Sequence, residues 1–192
     1  MKKIILCAAA FLFCAATLFA GGSIKVVSGD ASILKSAEVA KVIFNYDKTY
    51  VGEDGAKTQT LKQYLKSRGS DFVRDWPEDH KKAENYFVIR FNKKNKRGLT
   101  LSESSSGTKY IFEVKMDVLD MGNAAGAFVG FGAKAGGVIA WGDITVKDAR
   151  GKKVLLKLRF DDIKGKAHPS ETMRLGLCYM DLATRLAKIK AD

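Results

Sequence analysis

Two short segments of this 192-residue sequence group side chains that could carry acid–base chemistry. The stretch Trp76-Pro77-Glu78-Asp79-His80 places two carboxyl groups beside an imidazole, a set that could exchange protons with a substrate. Asp161 and Asp162 offer a second pair of carboxylates. Adjacent residues of a strand point to opposite faces, so this pair cannot flank one bond without a bulge. Neither the segment 76–80 nor the Asp161–Asp162 pair is sufficient by itself to define an acid–base catalytic site, so we assign no catalytic residue.

Metal and cofactor chemistry has little support in the composition. The chain has two His and three Cys, and His168 has no His or Cys close by in the sequence to share a metal. The Gly-x-Ser-x-Gly and His-Glu-x-x-His motifs do not occur. Cys178 lies in a helical apolar pattern that is typical of a buried, inert thiol. We therefore expect no cofactor and no metal site, although residues distant in sequence can still assemble a catalytic centre.

The most unusual segment is the glycine-rich stretch 121–137, MGNAAGAFVGFGAKAGG. It is not a phosphate-binding loop, because Lys134 is followed by Ala135 and a strand rather than by Ser or Thr and a helix. One interpretation is an apolar hairpin loop in which Phe128, Val129 and Phe131, with Lys134, dock on a partner or a membrane surface. The alternative is that these side chains pack under the sheet while the glycines let the backbone turn.

A second candidate surface is basic. The cations around the second predicted helix include Lys81, Lys82, Lys93, Lys94, Lys96 and Arg97. The last four are candidate partner-binding residues that could contact an anionic lipid headgroup, a cell-wall polymer or a polyanionic glycan. The alternative is that they are solvated charges favoured by the negative end of the helix dipole. We expect no nucleic acid as a partner, because no nucleic-acid-binding motif is present.

Residues 1–20, MKKIILCAAAFLFCAATLFA, have the form of a secretory signal: Lys2 and Lys3, an apolar run, and a small residue at the end. An uncleaved membrane anchor and a lipidated Cys are the alternatives, and bulky residues before each Cys disfavour lipidation. Without this segment 31 Lys and Arg remain against 21 Asp and Glu, a net charge of +10. We expect one domain over 21–192. Cys178 is the single cysteine in this range, so the domain cannot form an internal disulfide.

Hydrophobic periodicity predicts the elements of the first half of that domain. Apolar residues alternate from Val39 to Tyr46, which indicates a strand, and 47–59 has no periodicity and is predicted to be a loop. A helix then begins near Leu61 and is ended or kinked by Pro77. A second helix runs from Glu78 to about Lys94.

The second half is predicted to be rich in strands. A short extended piece at Leu99–Ser102 precedes strands at Tyr110–Leu119, Val138–Lys147 and Val154–Ile163, of which the last two form a hairpin. A final helix is capped by Ser170. The predicted fold is therefore a two-layer α+β unit, with a mainly antiparallel sheet of about four to five strands and three helices on one face.

The segment GGVIAWGDITVKDARGKKVLLKLRF and the helix after Ser170 resemble a small periplasmic α/β domain family of Gram-negative envelope proteins. This family includes the amino-terminal domain of TolB and the curli-secretion lipoprotein. The shared features are a long hairpin with an Asp-x-x-Gly turn, here Asp148-Ala149-Arg150-Gly151, and a following helix packed on the sheet. The whole chain also resembles secreted bacterial envelope proteins of unknown function. The resemblance implies envelope assembly or scaffolding rather than catalysis, and it supplies no catalytic residues.

We therefore expect an exported binding or scaffolding protein of a Gram-negative envelope, periplasmic or secreted, without catalytic activity. Its partner would be a protein or an anionic envelope component, and peripheral membrane contact is compatible with the same surfaces. One alternative is a small secreted hydrolase that acts on cell-wall or glycan material. Another is small-ligand binding between helix and sheet, which requires a cavity. The oligomeric state is left open by the sequence.

Overall fold

The computed structural model describes residues 22–122 and 136–190. The strands are β1 (Ser23–Gly29), β2 (Val39–Asn45), β3 (Tyr50–Val51), β4 (Gln59–Thr60), β5 (Thr100–Ser102), β6 (Tyr110–Asp120), β7 (Ile139–Asp148) and β8 (Val154–Lys164). The helices are α1 (Leu61–Arg68), α2 (Ser70–Lys94) and α3 (Glu171–Leu186), with short 3-10 helices at Ala31–Lys35 and Glu53–Gly55. The predicted signal, Phe128, Val129, Phe131 and Lys134 lie outside the described residues.

The sheet is larger and more mixed than the sequence predicts. Eight strands form one sheet with the order β1-β8-β7-β6-β2-β5, while β3 pairs with both β6 and β4. β2 pairs in parallel with β5 and with β6, and β3 pairs in parallel with β6. The prediction of about four to five mainly antiparallel strands is therefore wrong, although helices and strands do combine in an α+β arrangement.

The missed strands have physical explanations. β3 and β4 contain two residues each, too few to show an alternating pattern, and they lie in or next to the segment predicted to be a loop. β1 is an edge strand in which Val26 and Val27 are about half exposed, so it has no regular buried face. The parallel pairing of β2 with β6 follows from the path of the chain through α1 and α2, which a strand pattern does not encode.

The break between the first two helices lies at Gly69 rather than at Pro77. Gly69 has a φ of 113°, a conformation that favours glycine, and it separates α1 from α2. Pro77 lies inside α2, so the predicted boundary there is wrong. Proline has no N–H to donate to the carbonyl four residues earlier, that of Val73. Val73 is exposed, and water at that surface can replace the missing donor.

The two faces of the central strands differ as their alternation predicts. Phe112, Val114 and Met116 of β6 are fully buried and belong to the same core as Phe87 of α2 and Leu182 of α3. The opposite face carries ion pairs, which include Glu113–Lys147 at 2.6 Å, Lys115–Asp117 at 3.2 Å and Arg159–Asp161 at 2.9 Å. The helices therefore cover one face, and the other face is a layer of mutually neutralised charges.

The predicted β7–β8 hairpin forms and closes at the expected turn. The N–H of Gly151 donates to the carbonyl of Asp148 at 2.8 Å, and Gly151 has a φ of 70°. A register shift opposite Trp141 leaves Asp161 and Asp162 in a bulge. The bulge that a shared acidic site would require is therefore present, but Asp161 is already held by the guanidinium of Arg159.

Candidate basic binding site

The C-terminal end of α2 carries a concave, basic surface. A cavity of about 550 Å³ lies where this helix end meets the first 3-10 helix and the end of α3. We call it the basic pocket, and its lining residues are Lys35, Lys93, Lys94, Asn95, Lys96, Arg97, Gly98 and Ala187. Five of these residues are cations, and none of the eight is an acid.

Asn95 fixes the backbone that presents these cations. Its side chain is buried and donates from Nδ2 to the carbonyls of Leu34, at 2.8 Å, and Leu99, at 3.1 Å. A Cβ atom at Gly98 would lie 2.6 Å from the carbonyl oxygen of Leu34, so only glycine allows this close approach. The turn that carries Lys96 and Arg97 is thereby fastened to the 3-10 helix.

The charge of the basic pocket is largely uncompensated. Among the described residues, Lys93, Lys94, Lys96 and Arg97 have no carboxylate within ion-pair distance, and all four are exposed. Lys35 donates from Nζ to the carbonyl of Ala187 at 2.9 Å. The ends of α2 and α3 each contribute about half a negative charge. Five cations exceed that charge, so the helix dipoles account for only part of the cluster.

The basic pocket is suited to binding rather than to catalysis. Its lining has no hydroxyl or thiol nucleophile and no carboxyl or imidazole group to act as a general base. Lysine and arginine donors from three segments converge on it, which allows several contacts with a multiply charged anion. The chemistry that this arrangement supports is recognition of phosphate, carboxylate or sulfate groups.

The basic residues that the sequence singled out fall into two groups in the structure, one that lines the basic pocket and one that forms ion pairs. Lys93, Lys94, Lys96 and Arg97 come together as expected of one surface. Lys81 and Lys82 instead form ion pairs with Glu103 and Glu78, each at 2.9 Å, and the hydrogen bonds to these carboxylates raise the pKa of both lysines. Lys35 was missed, because its contribution depends on tertiary contact and no sequence pattern links it to α2.

The acid–base candidates of the sequence do not assemble around one free imidazole. His80 bonds through Nδ1 to the carbonyl of Trp76 at 2.6 Å, and its Nε2 is 3.8 Å from a carboxylate oxygen of Glu84. Asp79 instead lines a cavity of about 230 Å³ with Trp76 and Glu171. Two carboxyl groups therefore face one small cavity, a pairing that the sequence did not predict.

Glu171, one of the carboxyl groups at that cavity, lies beside two guanidinium groups and a phenol. Burial raises the pKa of Glu171 above its ordinary value, although the guanidinium groups of Arg68 and Arg174 oppose the shift. These groups lie 3.5 Å and 3.6 Å from the Glu171 carboxylate, and the hydroxyl of Tyr64 lies 3.5 Å from it. Burial raises the pKa of Tyr64 to about 12, with a smaller contribution from Glu171. Glu171 thus joins α1 to α3.

The remaining candidates for reactive chemistry are enclosed or engaged. Cys178 is fully buried, its Sγ lies 3.1 Å from the carbonyl of Ile163, and burial strongly raises its pKa. His168 accepts a hydrogen bond from the N–H of Ser170 at 3.1 Å. Within 22–122 and 136–190, no cluster of His, Cys, Asp and Glu side chains is arranged to hold a metal ion. In the same ranges, no helix has the length and apolar character that crossing a bilayer requires.

Comparisons with known proteins assign no family to this chain. No protein-family model matches it, and no curated protein matches it. A PelC dodecamer from Paraburkholderia phytofirmans is similar at 11% identity and a TM-score of 0.44, over 88% of this chain and 99% of that chain. A leucine-to-methionine variant of the PelC dodecamer from the same organism is similar at 10% identity and a TM-score of 0.41, over 85% and 98%. At these identities and scores, the likeness assigns no partner, activity or assembly.

Proposed function

We propose that this chain is an exported, non-catalytic binding protein that holds an anionic component of the cell envelope in the basic pocket. The observation that carries this proposal is the convergence of five cations on one cavity with no acid in its lining. The predicted export signal and the resemblance to small periplasmic domains of envelope proteins support the location.

The contrast with other charged surfaces of the protein favours binding over simple solvation. On the open face of the sheet, the cations Lys147 and Arg159 pair with carboxylates. On the first half of α2, Lys81 and Lys82 do the same. The basic pocket lacks such pairing, so its cations are available to an external anion and repel one another in its absence.

A binding measurement with matched charge changes tests the proposal. The exported protein would be titrated with heparin, a polyanionic glycan, and with vesicles containing an anionic phospholipid. The triple variant Lys93→Gln, Lys96→Gln and Arg97→Gln should weaken binding to at least one of these probes by at least about tenfold. Raising the salt concentration should weaken the binding of the unmodified protein, because exposed charges are screened.

The control removes equal charge elsewhere. Arg150, Lys152 and Lys153 are exposed at the β7–β8 turn and have no ion pair among the described residues. Their combined change to Gln should leave binding nearly unaltered. Equal losses for the two triple variants would mean that net charge alone attracts the probe, and the basic pocket would then not be a site.

One observation favours the alternative of a secreted hydrolase for cell-wall or glycan material. Asp79 and Glu171 face the same small cavity beside Trp76, and a carboxyl group with a raised pKa can serve as a general acid. Glycan hydrolysis that is lost in both Asp79→Asn and Glu171→Gln, while both variants stay folded, would support this alternative. Hydrolysis that persists in both variants, or that the unmodified protein lacks, would exclude this cavity as the catalytic site.

A further inference from the structure

We propose a second binding site, independent of the basic pocket, that takes a single-chain amphiphile with a carboxylate head. It is a cavity of about 470 Å³ between α1, the first half of α2 and the turn that joins β2 to β3. We call it the apolar groove, and its lining residues are Tyr46, Asp47, Lys48, Thr49, Thr60, Leu61, Lys62, Leu65, Lys66 and Val73. Its volume lies within the range of about 300–1,000 Å³ that is typical of small-ligand sites.

The floor of the apolar groove is formed by apolar side chains of α1 and α2. Leu61 and Leu65 of α1 are 7% exposed and belong to the core, so they present a fixed surface. Val73 of α2 is 45% exposed, although its side chain adjoins that surface. An alkyl chain laid on Leu65 and Val73 would remove this exposed apolar area from water, which stabilises the complex.

The polar groups in the walls of the apolar groove are already occupied within the protein. The hydroxyl of Tyr46 lies 2.9 Å from that of Tyr179, so the ring rather than its hydroxyl is available to a ligand. Thr49 donates to the carbonyl of Met116 at 2.6 Å, and Thr60 caps α1 with Gln63. These contacts leave walls that favour an apolar chain over a sugar or a peptide, because both of those need hydrogen-bond partners.

The rim of the apolar groove is positively charged. Lys62 and Lys66 lie one turn apart on α1, and Lys48 extends from the facing turn. Among the described residues, none of these three lysines pairs with a carboxylate. Asp47 is the one acid in the lining, so the rim keeps an excess of two positive charges. An apolar floor beneath a cationic rim is complementary to an alkyl chain that ends in a carboxylate.

The apolar groove is separate from the basic pocket. Val73 and Lys93 stand near opposite ends of α2, and the helical rise places them about 30 Å apart. The proposal commits to one dissolved amphiphile rather than to a membrane surface, because the apolar surface is the floor of a cavity between three elements. Failure of anion binding at the basic pocket would therefore leave this proposal unaffected, and the reverse also holds.

Titration with dodecanoate below its micelle concentration tests the proposal on the exported protein. Isothermal titration calorimetry should show saturable binding of one ligand per chain. The ring of Trp76 lies 6.1 Å from that of Tyr46, so tryptophan fluorescence should change in parallel. Acetate, which lacks the chain, and dodecyltrimethylammonium, which reverses the head charge, should each bind at least about tenfold more weakly.

Matched variants locate the site. Val73→Asp should weaken dodecanoate binding by at least about tenfold, while Ile89→Asp should not, because Ile89 is 64% exposed on the same helix but lies outside the apolar groove. The pair Lys62→Glu and Lys66→Glu should also weaken binding, while the pair Lys152→Glu and Lys153→Glu should not. The lysine pairs keep the test valid if an aspartate at position 73 disturbs folding.

Three results would overturn the proposal. The first is absence of saturable dodecanoate binding. The second is an equal effect of each groove variant and its control, which would indicate nonspecific adsorption. The third is binding of anionic phospholipid vesicles through the same residues without binding of free dodecanoate, which would make the apolar groove a membrane contact instead.

Discussion

At the residue scale, Arg174 is a buried charged side chain that supplies hydrogen-bond donors to backbone carbonyls. It is 3% exposed and donates to the carbonyls of Met121, His168 and Pro169 at 3.3, 2.9 and 3.0 Å. It also pairs with Glu171. The sequence did not predict this role. His168 and Pro169 are neighbours just before α3, but Met121 lies 53 residues before Arg174 and meets it only after folding.

Replacing Arg174 with Met should lower the free energy of unfolding by about 3 kcal/mol, because three carbonyls and a half-buried carboxylate lose a partner. Urea unfolding would measure this loss. Arg68→Met is the matched control, since Arg68 pairs with the same Glu171 but has a side chain that is 45% exposed. The control should lose less than about 1 kcal/mol. Equal losses in both variants would contradict a structural role for the buried guanidinium.

The lowered pKa of Glu113 predicts that the stability of the fold depends on pH. Hydrogen bonds from Lys147 and Asn45 lower the pKa of Glu113 below its ordinary value in the folded protein. The unfolded chain therefore takes up the proton first as the pH falls, so the stabilisation from Glu113 is complete above the unfolded pKa and is lost through the folded pKa.

Comparing the unmodified protein with Glu113→Gln isolates this effect. The difference in free energy of unfolding should be constant near neutral pH and should shrink as the pH falls below about 4.5. Urea unfolding across that range would measure the difference. A difference that grows on acidification would contradict the sign derived from the Lys147 and Asn45 hydrogen bonds.

At the element scale, the end of α2 couples stability to the basic pocket. Asn95→Ala should lower the free energy of unfolding by about 2 kcal/mol, since the carbonyls of Leu34 and Leu99 each lose the Nδ2 donor of the buried Asn95. It should also weaken heparin binding, because the turn with Lys96 and Arg97 loses both side-chain hydrogen bonds and keeps the backbone bond from Leu99 to Leu34 at 3.1 Å.

Asn92→Ala provides the matched control for that change. Asn92 lies on the same helix and exchanges hydrogen bonds with Leu101, at 2.9 and 2.8 Å, outside the basic pocket. Loss of the Asn92 side chain should lower the free energy of unfolding about as much as Asn95→Ala does, and it should leave heparin binding nearly unchanged. If Asn95→Ala binds heparin as tightly as Asn92→Ala does, the fastened turn is not needed for the site.

At the scale of the whole molecule, stability should be graded across the sheet. β7 is hydrogen-bonded on both sides, to β6 and to β8, and its Ile144 and Val146 are fully buried. β3 and β4 contain two residues each and lie off the main order of strands. Local openings need less free energy where fewer buried contacts are broken.

Amide hydrogen exchange would measure this gradient directly. The amides of β7 should exchange most slowly and at the limit set by global unfolding, whereas those of Val51 and Gln59 should exchange fastest among the paired strand amides. Uniform exchange across the sheet would instead indicate that the short strands open only when the whole protein unfolds.

The elements that the sequence determined are those with long, regular patterns. The alternation of β6, β7 and β8 separates a buried face from a charged one over ten residues or more, and the apolar stripe of α3 behind its Ser170 cap is equally regular. These patterns are local, because side-chain direction repeats with the period of the backbone. They were sufficient to place three strands, the hairpin and the last helix. Lys93, Lys94, Lys96 and Arg97 were singled out by a different local signal, the run of basic residues at the end of the second predicted helix.

Tertiary structure alone decided the rest. The pairing partners of β2 and the arrival of Lys35 beside the end of α2 depend on contacts between segments far apart in the chain. The inclusion of Pro77 within α2 depends instead on the exposure of Val73, whose carbonyl has no proline N–H to accept from. The apolar groove likewise combines α1, α2 and a turn, none of which carries a ligand-binding motif. Local periodicity records which side of an element is apolar, but not which other element covers it, and that choice is made by packing of the whole chain.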